Sequence, residues 1–75
     1  MKVKINGKEE LVNEVTLTVA RLLEVFKVQD PDMVSVQLNG EFAVRANFGQ
    51  TFLKDGDEVD FLYFMGGGEA GGRNP

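Results

Sequence analysis

The chain contains no cysteine, no histidine and no tryptophan, and only two prolines among its 75 residues. Without cysteine there is no disulfide framework, no thiolate catalysis, and no zinc or iron–sulfur site built on sulfur. Without histidine the commonest general base and metal ligand is missing. Positive charge is scarce too. Eight Lys and Arg face twelve Asp and Glu, a net charge of −4, which is a poor basis for nucleic-acid binding. No apolar run approaches the length of a membrane span, and the N-terminus shows no signal-peptide core, so a cytoplasmic protein without membrane contact is expected. What is present is an ordinary globular share of hydrophobic residues, 43%. A chain this short makes one small domain that must use nearly all of them. The composition points away from a hydrolase or oxidoreductase and toward a carrier, a modifier or a binding module.

Residues 2–6, Lys-Val-Lys-Ile-Asn, alternate polar and apolar, the pattern of a half-buried strand. Asn6-Gly7 follows, a hairpin signal because both residues tolerate positive φ. The return strand, Lys8 to about Val12, has a conflict: a two-residue loop sets Glu10 across from Val3 on the core face, whereas a longer loop would turn Leu11 inward. Placing this strand at the edge, where Glu10 reaches water, resolves it. Val19, Leu22, Leu23 and Phe26 form one apolar stripe at helical spacing and predict a helix over 18–27. Thr18 is its expected N-cap, and Leu17 with Leu22 its hydrophobic staple. Arg21 in the first turn opposes the helix dipole, and Lys27 suits the other end. Pro31 ends the helix before Asp30.

Met33 to Leu38 alternates again, with Val34, Val36 and Leu38 on one face; Asn39-Gly40 repeats the hairpin signal, and Glu41 to Arg45 is the expected returning strand. Phe48, Phe52 and Leu53 are expected to tuck a short turn under the sheet. Lys54 to Asp57 reads as a turn and Glu58 to Met65 as a last strand, apolar on both faces from Phe61. The order ββαβββ, with one helix crossing one face of a mixed sheet of about five strands, is an α+β β-grasp, the ubiquitin-like roll. The strand after the helix is expected to lie parallel to the first strand. The domain spans 1–65, and 66–75, with five of the nine glycines, is expected to be a flexible tail.

Gly66-Gly67-Gly68 after an apolar strand has two readings. One is a flexible end. The other is a terminus delivered into a narrow channel of another protein, where glycine allows the closest backbone approach. Leu62 and Phe64 alternate with Val59, Phe61 and Tyr63, so they point away from the helix; with Phe42 they form a candidate docking patch. Arg45 is a solvated strand-end charge with a partner contact as its alternative. Asp55-Gly56-Asp57-Glu58-Asp60 lacks the spacing of a calcium loop and reads as a polar turn that can steer a basic partner. Lys2, Lys4 and Lys8 make a small basic face without interleaved aromatics, and nucleic acid is not expected.

Taken together, Thr18-Val19 with Leu22-Leu23, Val34-Ser35-Val36-Gln37-Leu38-Asn39-Gly40-Glu41, Val44-Arg45, Leu53 to Val59, and Phe64-Met65-Gly66-Gly67-Gly68 resemble the ThiS/MoaD family of β-grasp sulfur carriers, on the thiamine-biosynthesis side. The resemblance covers residues 1–68. Arg21 departs from it, standing where the family often carries a glutamate. So does Glu69 to Pro75, since ThiS-type members usually stop at the glycines. The resemblance implies a protein cosubstrate, not an enzyme, with no bound cofactor. An adenylyltransferase of the ThiF type, using ATP and Mg²⁺, would activate Gly68 after tail removal (less favourably Gly72), with Gly66 and Gly67 threading its channel. A persulfide would convert the adenylate to a thiocarboxylate, and a thiazole synthase of the ThiG type would take the sulfur. Leu62, Phe64, Phe42 and Arg45 would face the activating partner, a trimming metalloprotease would act on the tail, and the free carrier would be a monomer. The alternatives are a sister carrier for molybdopterin, cysteine or homocysteine synthesis, and a ubiquitin-like interaction domain that carries no sulfur.

Overall fold

The structure is a computed structural model in which residues 1–63 are described. Two strands, β1 (Lys2–Ile5) and β2 (Lys8–Leu11), are followed by one helix, α1 (Val19–Val25). A 3₁₀ turn (Pro31–Met33), strands β3 (Val34–Leu38) and β4 (Glu41–Phe42), a 3₁₀ segment (Arg45–Gln50) and strand β5 (Glu58–Tyr63) complete the order. The strands form one sheet in the order β2-β1-β5-β3-β4. β1 and β5 run parallel at its centre and every other pair is antiparallel. This is the expected β-grasp.

One expectation about direction fails. β3 does not run parallel to β1; β5 does. A helical crossover returns the chain in the direction of the strand it left, and the strand α1 leaves is β2, which is antiparallel to β1. β3 therefore runs with β2, and it is β5 that pairs in parallel with β1.

Local chemistry accounts for the turns. Asn6 and Gly7 have φ of 50° and 84°, Asn39 and Gly40 φ of 51° and 86°, the positive pairs that two-residue hairpins require. The first turn fixes Val3 across from Glu10. Glu10 is half-buried at the sheet edge with Lys8 Nζ 3.9 Å from its carboxylate, while Leu11 is 81% exposed. The edge position of β2 makes the two-residue loop tolerable.

α1 is capped as its sequence implies. Thr18 Oγ1 accepts a hydrogen bond from the Arg21 N–H at 3.1 Å, and Leu17 and Leu22 are both fully buried. The helix ends earlier than expected, at Phe26, because Lys27 adopts φ 52°. There its N–H donates to the Glu24 carbonyl, and the Val28 N–H to the Leu23 carbonyl, both at 3.0 Å. These two bonds are the Schellman closure of a helix C-terminus, here with a lysine where glycine is usual. Arg21 does not stand as an isolated charge in the first turn. It binds Glu14 at 2.7 Å and Glu24 at 3.1 Å.

Val3, Val19, Val34, Val36 and Val59 join Leu17 and Leu22 as fully buried side chains between α1 and the sheet, with Ile5, Leu23 and Phe61 around them. Val12, Phe48 and Leu53 complete the core, while Phe26 and Leu38 are only partly buried against it. Phe52, expected inside with Phe48 and Leu53, is 58% exposed. Residue 52 instead bridges to Thr18, the Leu53 N–H donating to the Leu17 carbonyl at 2.8 Å and the Val19 N–H to the Thr51 carbonyl at 3.0 Å. The backbone at 51–53 is thereby locked to the helix entrance, and strand alternation sends only Leu53 inward.

Candidate functional site

Among the described residues, helix α1 covers one face of the sheet and the other is open. Since directly paired residues point to the same face, the register defines that open surface. Ser35 pairs with Leu62, and Gln37 pairs with Asp60 on one side and Phe42 on the other. Phe42, Gln37 and Asp60 thus form one row across β4, β3 and β5, with Ser35 and Leu62 forming the next. Phe42 is 63% exposed, and Leu62 is half-buried among neighbours that are themselves half-buried. Toward the other edge, Lys4 lies between Glu9 and Glu58, and Lys2 beside Leu11. The surface carries Phe42 and Leu62 among the polar Ser35, Gln37 and Asp60 at the β3–β5 end and is charged over β1 and β2. The sequence reading assigns no partner-facing role to Ser35, Gln37 or Asp60, although their alternation with Val34, Val36 and Val59 carries the signal.

The structure brings Leu62 and Phe42 onto this face. Phe64, Gly66, Gly67, Gly68 and Gly72 lie outside the described residues, as do the end of the expected last strand and the whole expected tail. Arg45 is placed elsewhere. The expected strand over Glu41–Arg45 stops at Phe42, and Arg45 begins the 3₁₀ segment. Its guanidinium donates to the Pro31 carbonyl at 2.7 Å and to the Val34 carbonyl, and lies 5.3 Å from the centre of the Phe48 ring. With Leu23, Lys27 and Phe48 it lines a groove of about 370 Å³ on the helix side of the sheet. One further ladder bond follows β4, from the Ala43 N–H to the Val36 carbonyl at 2.8 Å, before the chain turns into the 3₁₀ segment. Arg45, exposed as expected, clamps the start of β3 to the 3₁₀ segment and does not end a strand as alternation alone suggests.

The acidic turn is built from backbone contacts. Asp55 Oδ1 accepts from the Lys2 N–H at 2.7 Å. Asp57, only 7% exposed, accepts from the Lys54 N–H at 2.7 Å and from Asn39 Nδ2 at 3.1 Å. Asn39 Oδ1 in turn accepts from the Glu58 N–H at 3.0 Å. The carboxylate of Asp57 thus ties the 39–40 turn to the entrance of β5, the role of a structural turn residue.

Comparison with known proteins follows the same outline. The profile of the ThiS family matches residues 2–68. A crystal structure of the thiamine biosynthesis protein ThiS from Geobacter metallireducens superposes with a TM-score of 0.83 at 48% identity, covering 91% of this chain and 100% of that one. A solution NMR structure of a thiamine biosynthesis protein from the same organism gives a TM-score of 0.75 at 48% identity, over 91% of this chain and 88% of that one. A thiazole synthase of Paramagnetospirillum magneticum is 35% identical over 68 residues, which are 91% of this chain and 20% of that protein. This chain therefore spans about one-fifth of the length of that relative.

Proposed function

This chain belongs to the ThiS family, and from that membership we propose that it is a sulfur carrier of thiamine biosynthesis, a protein cosubstrate that other enzymes act on. The observation that carries the reading is the family match itself, which runs through the whole β-grasp and stops at Gly68, the third of three consecutive glycines. The chain brings no histidine or cysteine to any site, so its contribution is a carboxylate to be activated and a surface to be recognised.

In this reading a terminal carboxylate oxygen of Gly68, exposed by removal of 69–75, attacks the α-phosphorus of Mg-ATP on a ThiF-type partner, and pyrophosphate leaves. The terminal sulfur of a persulfide then attacks the acyl carbon and AMP departs. A thiol cleaves the sulfur–sulfur bond of the resulting acyl disulfide, leaving the thiocarboxylate and a new disulfide. A ThiG-type thiazole synthase consumes that sulfur. The homologous segment within a thiazole synthase of P. magneticum supports this last pairing. Leu62 and Phe42 on the open face, with Phe64 next along the chain, would seat the activating enzyme. Arg45, already bonded to two carbonyls, would contribute through the shape of its segment. Gly66 and Gly67 are the channel-threading residues, a metalloprotease trims the tail, and the free carrier is a cytoplasmic monomer.

The test is to truncate after Gly68, supply a ThiF-type adenylating enzyme, Mg-ATP, a persulfide source and a thiol, and weigh the intact product. One carboxylate oxygen should be exchanged for sulfur at the C-terminal glycine. The full-length chain should remain unmodified until a trimming protease is added. Truncation after Gly72 is the comparison, because it leaves Glu69 near the incoming phosphates, where like charge opposes binding. If neither truncated form takes up sulfur, the carrier reading fails and the interaction-domain alternative stands.

A further inference from the structure

The two Asn-Gly turns look equivalent in the sequence and are exposed in the structure, yet their side chains hold the fold in opposite ways. The Asn6 side chain acts only as an acceptor: its Oδ1 receives the Phe61 N–H at 2.8 Å and among the described residues its Nδ2 has no partner, while its backbone N–H donates to the Val59 carbonyl at 2.9 Å. Asn39 acts as both donor and acceptor. Its Nδ2 donates to Asp57 Oδ1 at 3.1 Å, its Oδ1 accepts from the Glu58 N–H at 3.0 Å, and its backbone N–H donates to the Glu58 carbonyl at 2.7 Å.

Asn-Gly is chemically labile. The glycine nitrogen, unhindered by a Cβ on the following residue, attacks the asparagine Cγ; the new C–N bond forms and the side-chain nitrogen leaves as ammonia. Water then opens the succinimide at either carbonyl, giving aspartate or isoaspartate. We infer that Asn39-Gly40 is a deamidation site whose product breaks the junction between the β3–β4 turn and β5, whereas the same reaction at Asn6-Gly7 leaves its aspartyl product structurally silent.

Aspartate at 6 keeps the acceptor that Phe61 needs. Aspartate at 39 replaces a donor with a carboxylate oxygen about the same 3.1 Å from Asp57. Two carboxylates this close cannot both remain ionised without a large penalty, most of all when one is 7% exposed. Isoaspartate adds a backbone atom and destroys the two-residue turn. Either product loosens β4, and with it Phe42 on the open face. The order of reaction follows from the same bonds. Asn39 must release two side-chain hydrogen bonds before its Cγ is free, and Asn6 only one, so Asn6 converts first in the native protein.

The full-length chain is incubated in mildly alkaline buffer, native and in urea, and both sites are followed by peptide mapping. Comparable rates in urea, with Asn39 slower than Asn6 in the native protein but still converted, support the assignment. An Asn39 that stays intact after Asn6 is consumed overturns it. In parallel, Asn39→Asp should lower Tm by roughly 10 °C or more at neutral pH and Asn6→Asp by no more than about 2 °C. The Asn39→Asp deficit should shrink near pH 4, where one carboxyl takes a proton and becomes a donor again. The swap Asn39→Asp with Asp57→Asn restores one donor and one acceptor, and should recover at least half of the lost Tm. It also gives a readout if the single variant fails to fold. A single variant as stable as the wild type, or a swap no better than the single variant, refutes the inference.

Discussion

Replacing Leu22 with alanine tests the packing of α1, the one α-helix among the described residues. α1 is seven residues long and buries three of its side chains, Val19, Leu22 and Leu23. A helix this short has no independent stability in water, so these contacts hold it in place. Leu22 is fully inaccessible and sits among Leu17 and Val19, also fully inaccessible. The substitution removes three carbons, worth about 2.4 kcal/mol of transfer free energy at ~0.8 per methylene. The remaining cavity raises the expected loss to about 3–5 kcal/mol. A 75-residue domain at 0.05–0.15 kcal/mol per residue has roughly 4–11 kcal/mol in total. The variant should therefore be close to the edge of folding at room temperature. Leu11 is the control, since it is 81% exposed on β2. Leu11→Ala should change stability by less than about 0.5 kcal/mol. Equilibrium urea unfolding of both variants reads the difference through the midpoint, with the slope unchanged. A Leu22→Ala loss below about 1 kcal/mol, or an equal loss at Leu11, would refute the packing described for α1.

Lys27→Gly should raise the urea midpoint by the equivalent of about 0.5–1 kcal/mol, since glycine removes a left-handed strain of roughly 1–2 kcal/mol and returns part of it as unfolded-state entropy; Lys27→Ala should show no gain. Glu14 should titrate below the usual carboxylate range because Arg21 hydrogen-bonds to its carboxylate, and NMR titration of Arg21→Ala should find it restored upward. With the folded value depressed, the contribution of this pair to stability is present above the unfolded carboxylate pKa and fades as pH falls through the depressed value; an unmoved Glu14 would show that the pair does not form. Phe42→Glu should leave folding intact and weaken association with a ThiF-type enzyme about a hundredfold or more by calorimetry, and Leu62→Glu should do the same, because a desolvated unpaired charge costs several kcal/mol. Unchanged affinity would remove these residues from the docking face, and unfolding of Leu62→Glu would assign Leu62 to the core.

The sequence by itself determined the features that depend on neighbours within one turn of chain. Two Asn-Gly pairs dictated two hairpins, because few other residue pairs hold two successive positive φ values. The spacing of Val19, Leu22 and Leu23 dictated which side of α1 is buried, and Thr18 where it begins. Alternation told Leu62 from Val59 and Phe61, and so made part of the open face legible before any coordinates. Tertiary structure decided what depends on partners far along the chain. Nothing local says that β1 pairs in parallel with β5, since that choice follows from the direction in which the crossover leaves β2. Phe48 and Phe52 are the same residue four positions apart, and only the pairing of 51–53 with the helix entrance sent one inward and the other into solvent. Arg45 is a surface charge in sequence and structure alike, but only the fold brings the carbonyls of Pro31 and Val34 within reach of its guanidinium. Asn39 and Asn6 share a dipeptide, a turn type and a β5 N–H that each accepts, and differ because a buried carboxylate faces Asn39 alone. Short-range sterics and periodicity are written residue by residue; a hydrogen bond across many residues of chain exists only once the fold has brought its two ends together.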